Sequence, residues 1–95
     1  DEKMSDTKNT RSEVLAIAGD LINPGGERQT HYGDPQDNFG TTARMWSAYL
    51  GQQISASDVC HLMALLKIAR IKRGPHRDSS IDACGYMALG AEVSE

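Results

Sequence analysis

Residues 59–71, VCHLMALLKIARI, form the most apolar stretch of the chain. Ten of these 13 residues are apolar, and only His61, Lys67 and Arg70 interrupt them. A helix that is apolar on every face is typically a buried one. We therefore expect a central helix that starts at residue 55 or 57, ends near residue 73 and is covered by the other helices.

Three other segments carry apolar residues at helical spacing: residues 11–22, residues 35–50, and a segment from residue 78 or 79 to about residue 93. Asp34-Pro35 is a helix-start signal. Residues 23–26, NPGG, end the first helix, and we expect a loop over residues 27–34. No segment alternates strictly between apolar and polar residues, so the sequence predicts an all-α four-helix bundle. We expect it to form a homo-oligomer, because a chain of 95 residues buries only a modest core.

Composition excludes several classes of protein. The net charge is −3 and the basic residues are not gathered into a long run, so there is no strong DNA-binding signal. No apolar stretch approaches the roughly 20 residues of a membrane span, and no signal peptide is visible. Cys60 and Cys84 are far apart, which favours reduced thiols and the cytoplasm. We expect residues 1–10 to be a disordered lead and residues 11–95 to form a single helical domain.

Lys67 and Arg70 are three residues apart, so they share one face of the central helix. Cations in an apolar helix need acidic partners, because an unpaired buried charge is costly. Asp78 and Asp82, four apart on the last helix, are the obvious candidates. Two interpretations remain open. The four residues are structural ion pairs, or they hold a phosphate or a metal ion.

The predicted loop contains His31, Tyr32 and Asp34, a polar and aromatic group with little reason to exist for packing. We weigh function and structure equally for these three residues. Trp46 and Phe39 lie at helical spacing and are more readily explained as core residues.

Four sequence elements together resemble a family of small phage and prophage proteins of unassigned function. They are HYGDP at 31–35 followed by Asn38-Phe39, WSAYLG at 46–51, LLKIAR at 65–70, and Asp78 and Asp82 followed by Gly85-Tyr86 and Leu89. More distantly, the pattern is similar to phage nucleotide-modification-associated domains and to the all-α nucleotide pyrophosphohydrolases of the MazG type. The resemblance implies a helical, often oligomeric protein that handles nucleotides.

The MazG-type resemblance also implies two acidic pairs that hold Mg²⁺, which bridges phosphates and activates water. Asp82 matches the last acid of the second pair, but the residue three before it is Ser79. The first pair has no match, since His61 and Ala64 stand where acids are needed. This departure weakens the enzyme interpretation.

We are left with three hypotheses. The first is a phage-type protein, in the host cytoplasm, that binds or sequesters a nucleotide or cyclic nucleotide without catalysis, with Asp78 and Asp82 as the place for any Mg²⁺. The second is a Mg²⁺-dependent nucleoside triphosphate pyrophosphohydrolase that adds Asp34 and Asp37 to these ligands. The third is a host-takeover interaction module with an exposed apolar patch on the first or second predicted helix. The predicted nucleotide-binding residues are Arg28, His31, Tyr32, Trp46, Lys67, Arg70 and His76.

Overall fold

The computed structural model of the chain describes residues 10–93, which form five α-helices, one 3₁₀ turn and no strand. The all-α prediction is confirmed. The predicted disordered lead falls almost entirely on residues 1–9, which lie outside the described residues. The helices are α1 (Arg11–Ile22), α2 (Glu27–Tyr32), α3 (Pro35–Leu50), α4 (Ala56–Arg70) and α5 (Arg77–Glu92), and the 3₁₀ turn is Ile71–Arg73.

Local signals in the sequence set most of the helix ends. The Asp34 side chain accepts from the backbone N–H of Asp37, and Pro35 occupies the first turn of α3. Ser55 and Asp58 form a reciprocal capping box at the start of α4. Gly51 ends α3 in the left-handed conformation with φ 68°, which glycine adopts without strain.

Two predicted boundaries are wrong. α4 ends at Arg70, and the chain continues as the 3₁₀ turn to Gly74, whose φ of 129° suits glycine alone. α5 begins one residue earlier than predicted, because the His76 side chain accepts the backbone N–H of Ser79 and serves as the N-cap.

The predicted loop over residues 27–34 is also wrong, because it contains α2. The Gln29 side chain accepts the backbone N–H of Gly25 at 2.7 Å, and the Thr30 hydroxyl donates to the Gly26 carbonyl at 3.0 Å. These two bonds close the first turn of a helix whose sequence, ERQTHY, has no apolar periodicity to reveal it.

α4 is the central helix, as predicted, and it packs against both α3 and α5. Partly buried side chains, among them Ile22, Trp46 and Tyr86, surround the core. The core comes from α3, α4 and the C-terminal part of α5 with its C-cap, and consists of Phe39, Ala43, Ala56, Val59, Cys60, Leu89 and Val93. Gly90 lets α5 approach α4 closely, and the Ser57 hydroxyl donates to the Gly90 carbonyl at 3.0 Å.

The expectation that α4 is buried on every face is wrong. Ala56, Val59, Cys60 and Ala64 are buried, but the leucines on the opposite face are exposed. The cause is the number of helices available. The described chain is 19 Å across in its thinnest direction, which is about two helix diameters, so no helix covers the far side of α4.

Candidate functional site

A cleft of about 300 Å³ opens between α1, α2 and α5, with Lys67 of α4 at its edge. It is half polar and half apolar in character. The polar residues come mainly from α2 and α5, while α1 supplies apolar ones. The lining residues are Ala18, Leu21, Ile22, Glu27, Arg28, His31, Tyr32, Lys67, Ile81, Asp82, Gly85, Tyr86 and Leu89.

The cleft therefore brings together four of the seven predicted nucleotide-binding residues, Arg28, His31, Tyr32 and Lys67. They are up to 39 residues apart in sequence, and they come together because α2 lies beside both α1 and α5 at this cleft. Asp82, one of the two predicted metal ligands, lies in the same cleft.

Lys67 and Asp82 form the ion pair that the sequence suggested. The Lys67 Nζ lies 3.1 Å from the Asp82 Oδ2, with the lysine side chain largely buried and the carboxylate partly exposed. α4 and α5 are joined by a short turn and run side by side, so these two residues face each other. Asp82 therefore neutralises part of the charge of Lys67.

Arg28 has an unusual environment. Its guanidinium carbon lies 4.5 Å from the ring centre of Tyr32, 4.9 Å from that of Phe39 and 5.0 Å from that of Tyr86. Its Nη1 also donates to the Tyr86 hydroxyl at 3.5 Å. Cation–π contacts of this kind hold a guanidinium in place without neutralising it.

No carboxylate among residues 10–93 forms an ion pair with Arg28. The charge is felt nearby. Burial raises the pKa of the Cys60 thiol from 9.0 to about 11, and the positive charge of Arg28 opposes part of that rise. Cys60 and Cys84 are both free thiols, and the high pKa of Cys60 makes it a poor nucleophile.

Trp46 lies on the other side of Arg28. It lines a second hollow of about 230 Å³ that also includes Arg28, Tyr32 and Tyr86. Trp46 is partly buried and packs against the core, as Phe39 does, so the core interpretation of both aromatic residues agrees with the structure.

Arg70 and His76 lie away from the cleft. They line a third hollow, of about 560 Å³, formed by the 3₁₀ turn and its flanks. Lys67 and Arg70 are one turn apart on α4, but they line different hollows, because Arg70 is the exposed last residue of the helix whereas Lys67 faces Asp82 of α5.

The basic residues are also more concentrated than expected. Arg70, Lys72 and Arg73 lie together around this third hollow, and Arg77 follows at the start of α5. The signal was present in the sequence as residues 70–77, RIKRGPHR, and the overall charge of −3 concealed it.

The predicted metal ligands, Asp78 and Asp82, both lie on α5. Within residues 10–93, no three histidine, cysteine, aspartate or glutamate side chains form a group that could hold a metal ion. Asp78 is exposed in the first turn of α5 and does not line the cleft, while Asp82 is engaged by Lys67. Asp34 is the N-cap of α3, where its carboxylate accepts the backbone N–H of Asp37.

The sequence did not reveal the importance of Tyr86. It lies on the apolar side of α5 and reads as an ordinary core residue, yet it contacts Arg28 by both its ring and its hydroxyl.

No described helix is long and apolar enough to cross a membrane, in line with the composition.

These features define a small all-α domain with an aromatic cleft that contains both basic and acidic side chains. The chain belongs to the family of a domain of unknown function, DUF6378, whose model matches residues 13–94. It is 52% identical over 83 residues to the Gene 55 protein of Mycobacterium phage D29, an alignment that covers 86% of this chain and 54% of that relative. It is 40% identical over 78 residues to the Gene 55 protein of Mycobacterium phage L5, covering 80% of this chain and 49% of the relative.

The predicted resemblance to a small phage protein family is thus confirmed, and the chain spans about half the length of these two relatives. No solved structure matches the chain. The more distant similarity to MazG-type enzymes stays a prediction.

Proposed function

We propose that the cleft binds a small phosphorylated ligand with a planar ring, a nucleotide, and does so without catalysis. The observation that carries this proposal is the position of Arg28, which has no described carboxylate partner and lines one cleft together with Lys67. Binding sites for anions commonly hold such a cation ready, because no existing ion pair has to be broken first.

Each side of the cleft has a role in this proposal. Arg28 takes the phosphate, and its planar donors suit a bidentate contact. Lys67 adds a second positive charge, part of which is neutralised by its ion pair with Asp82. Tyr32, exposed at the mouth of the cleft, offers a ring on which a base can stack, and His31 beside it offers a hydrogen bond.

The size of the cleft favours a mononucleotide. About 300 Å³ lies at the lower end of the range for small-molecule sites, which is roughly 300–1,000 Å³. A cyclic oligonucleotide would have to extend into the neighbouring hollow beside Trp46, which shares Arg28 and Tyr32 with the cleft.

We infer the lack of catalysis from the small number of carboxylates that line the cleft. Phosphoryl chemistry of the MazG type needs several carboxylates around Mg²⁺. The cleft is lined by Glu27 and Asp82, and Asp82 is already paired with Lys67. A protein with this site holds its ligand and releases it unchanged.

Isothermal titration calorimetry with nucleoside monophosphates, nucleoside triphosphates and cyclic dinucleotides tests the proposal. Arg28→Met keeps the length of the side chain against the three rings but removes its charge, and we expect it to weaken nucleotide binding at least about tenfold, equal to about 1.4 kcal/mol. Arg70→Met is the matched control outside the cleft, and we expect it to bind as the parent does.

Three results would count against the proposal. They are no binding to any ligand of the panel, equal losses in Arg28→Met and Arg70→Met, and release of pyrophosphate from a triphosphate with Mg²⁺ present. The last would favour the pyrophosphohydrolase hypothesis, and its loss in Asp82→Asn would assign the reaction to this cleft.

A further inference from the structure

The outward face of α4 is apolar and exposed. Leu62, Leu65, Leu66 and Ile68 are each 42–59% exposed, and α3 and α5 both pack on the opposite face. The stretch that reads as the most buried part of the sequence therefore contributes its largest side chains to the surface.

Such a face is unusual for a protein that works alone. Soluble monomers rarely expose contiguous large apolar patches, and those that occur mark interaction sites. The spacing is that of a helix-pairing face, since Leu62, Leu65, Leu66 and Ala69 follow the i, i+3, i+4, i+7 pattern. The surface is thus shaped to receive another helix.

The charges at the two ends of this face suggest which helix. Asp58 is exposed at the N-terminal end, while Lys72 and Arg73 are exposed in the 3₁₀ turn at the C-terminal end. If two copies of α4 pair in antiparallel orientation about Leu65, Asp58 of each copy comes close to the basic end of the other. The two helix dipoles also oppose each other in that arrangement.

We propose that a second copy of this chain covers the outward face of α4, giving a two-fold symmetric dimer with antiparallel α4 helices. In a two-fold symmetric dimer the same surface of each copy pairs with itself, so that surface must be self-complementary. The outward face of α4 meets this requirement, because it is acidic at one end, apolar in the middle and basic at the other. The ligand cleft lies between α1, α2 and α5, and the α4 residue that lines it, Lys67, faces Asp82 of α5. The dimer therefore leaves the cleft open, and the dimer proposal does not depend on the proposed nucleotide binding.

Sedimentation equilibrium on the 95-residue chain tests the dimer, with Leu65→Glu as the disrupting variant. Leu15→Glu on α1 is the matched control, because Leu15 is 60% exposed and Leu65 is 59% exposed. We expect the parent and Leu15→Glu to dimerise with similar dissociation constants, and Leu65→Glu to raise that constant by at least about tenfold. Circular dichroism confirms that both variants fold, and Leu65→Ser repeats the test without a charge.

The orientation has its own test. Lys72→Glu brings like charge beside Asp58 of an antiparallel partner and should weaken the dimer, as should added salt in the range where it screens exposed charges. In a parallel pair the same substitution relieves repulsion between the basic ends and tightens association.

A monomeric parent chain overturns the proposal, as does a dimer that Leu65→Glu leaves intact. A dimer that Lys72→Glu tightens overturns the antiparallel arrangement. Nucleotide titrations of Leu65→Glu separate the two proposals, since a monomer that still binds nucleotide leaves the cleft assignment unaffected.

Discussion

Gly90→Ala probes a close contact between α4 and α5. A Cβ on Gly90 would lie 3.0 Å from the Cβ of Cys60 and 3.1 Å from two ring atoms of His61. The His61 ring is exposed and can turn away, but the Cβ of Cys60 is fixed to the backbone of α4. The two helices must therefore separate by a few tenths of an ångström to admit the methyl group.

Two opposing effects set the size of the change. Alanine favours a helix over glycine by about 1 kcal/mol. Overfilling a packed interior costs roughly 1–3 kcal/mol. The separation also stretches the bond from the Ser57 hydroxyl to the Gly90 carbonyl. We expect a net loss of about 1 kcal/mol in the free energy of unfolding, which lowers Tm by roughly 4–8 °C for a domain of this size.

Thermal and urea unfolding followed by circular dichroism, at one fixed protein concentration, measure this loss. Gly19→Ala on α1 is the matched control, because a Cβ there has no neighbour within 4 Å. This variant should gain only the better helix propensity of alanine, which raises the free energy of unfolding by about 0.5–1 kcal/mol. If Gly90→Ala is as stable as Gly19→Ala, the close approach of α4 and α5 is not real and the reasoning fails.

Three further predictions concern Cys60 and the start of α4. Because burial raises the Cys60 pKa from 9.0 to about 11, the folded state holds this proton more tightly, so the free energy of unfolding should fall as pH rises through that interval. The fall is roughly 2–3 kcal/mol, and Cys60→Ala should remove that contribution in urea unfolding across the interval. At neutral pH a thiol reagent should modify partly exposed Cys84 well before buried Cys60, and equal rates would contradict the burial. Ser55→Ala removes the capping-box acceptor of Asp58 N–H and should cost about 1 kcal/mol in thermal unfolding, whereas exposed Ser12→Ala should change little.

Helix positions were predictable where the signals are local. Asp34-Pro35 and the Ser55–Asp58 pair act within one turn of the chain, so α3 and the start of α4 follow from sequence alone. The position of α2 does not follow from sequence alone, because its longest-range contacts are made by Arg28. The partners of Arg28, Phe39 and Tyr86, are 11 and 58 residues away. A pattern limited to neighbouring residues cannot contain that information.

The site was predictable in part for the same reason. The Lys67–Asp82 pair follows from two helices joined by a short turn. The separation of Arg70 from Lys67 does not, since it depends on where α4 stops and how far α5 extends beside it. Composition indicated correctly that α4 is apolar, but it could not indicate that too few helices are available to cover it.

The short helix α2 has a consequence for the dynamics of the domain. It has no buried residue, and positive-φ glycines flank it, Gly25 with φ 83° and Gly33 with φ 78°. Arg28 makes its one long-range hydrogen bond among the described residues. Segments held this weakly open without global unfolding, so amide protons of α2 should exchange with solvent far faster than those of α4. A ligand bound to Arg28 would then stabilise the closed position of α2, and its binding would be detected as slower amide proton exchange in α2.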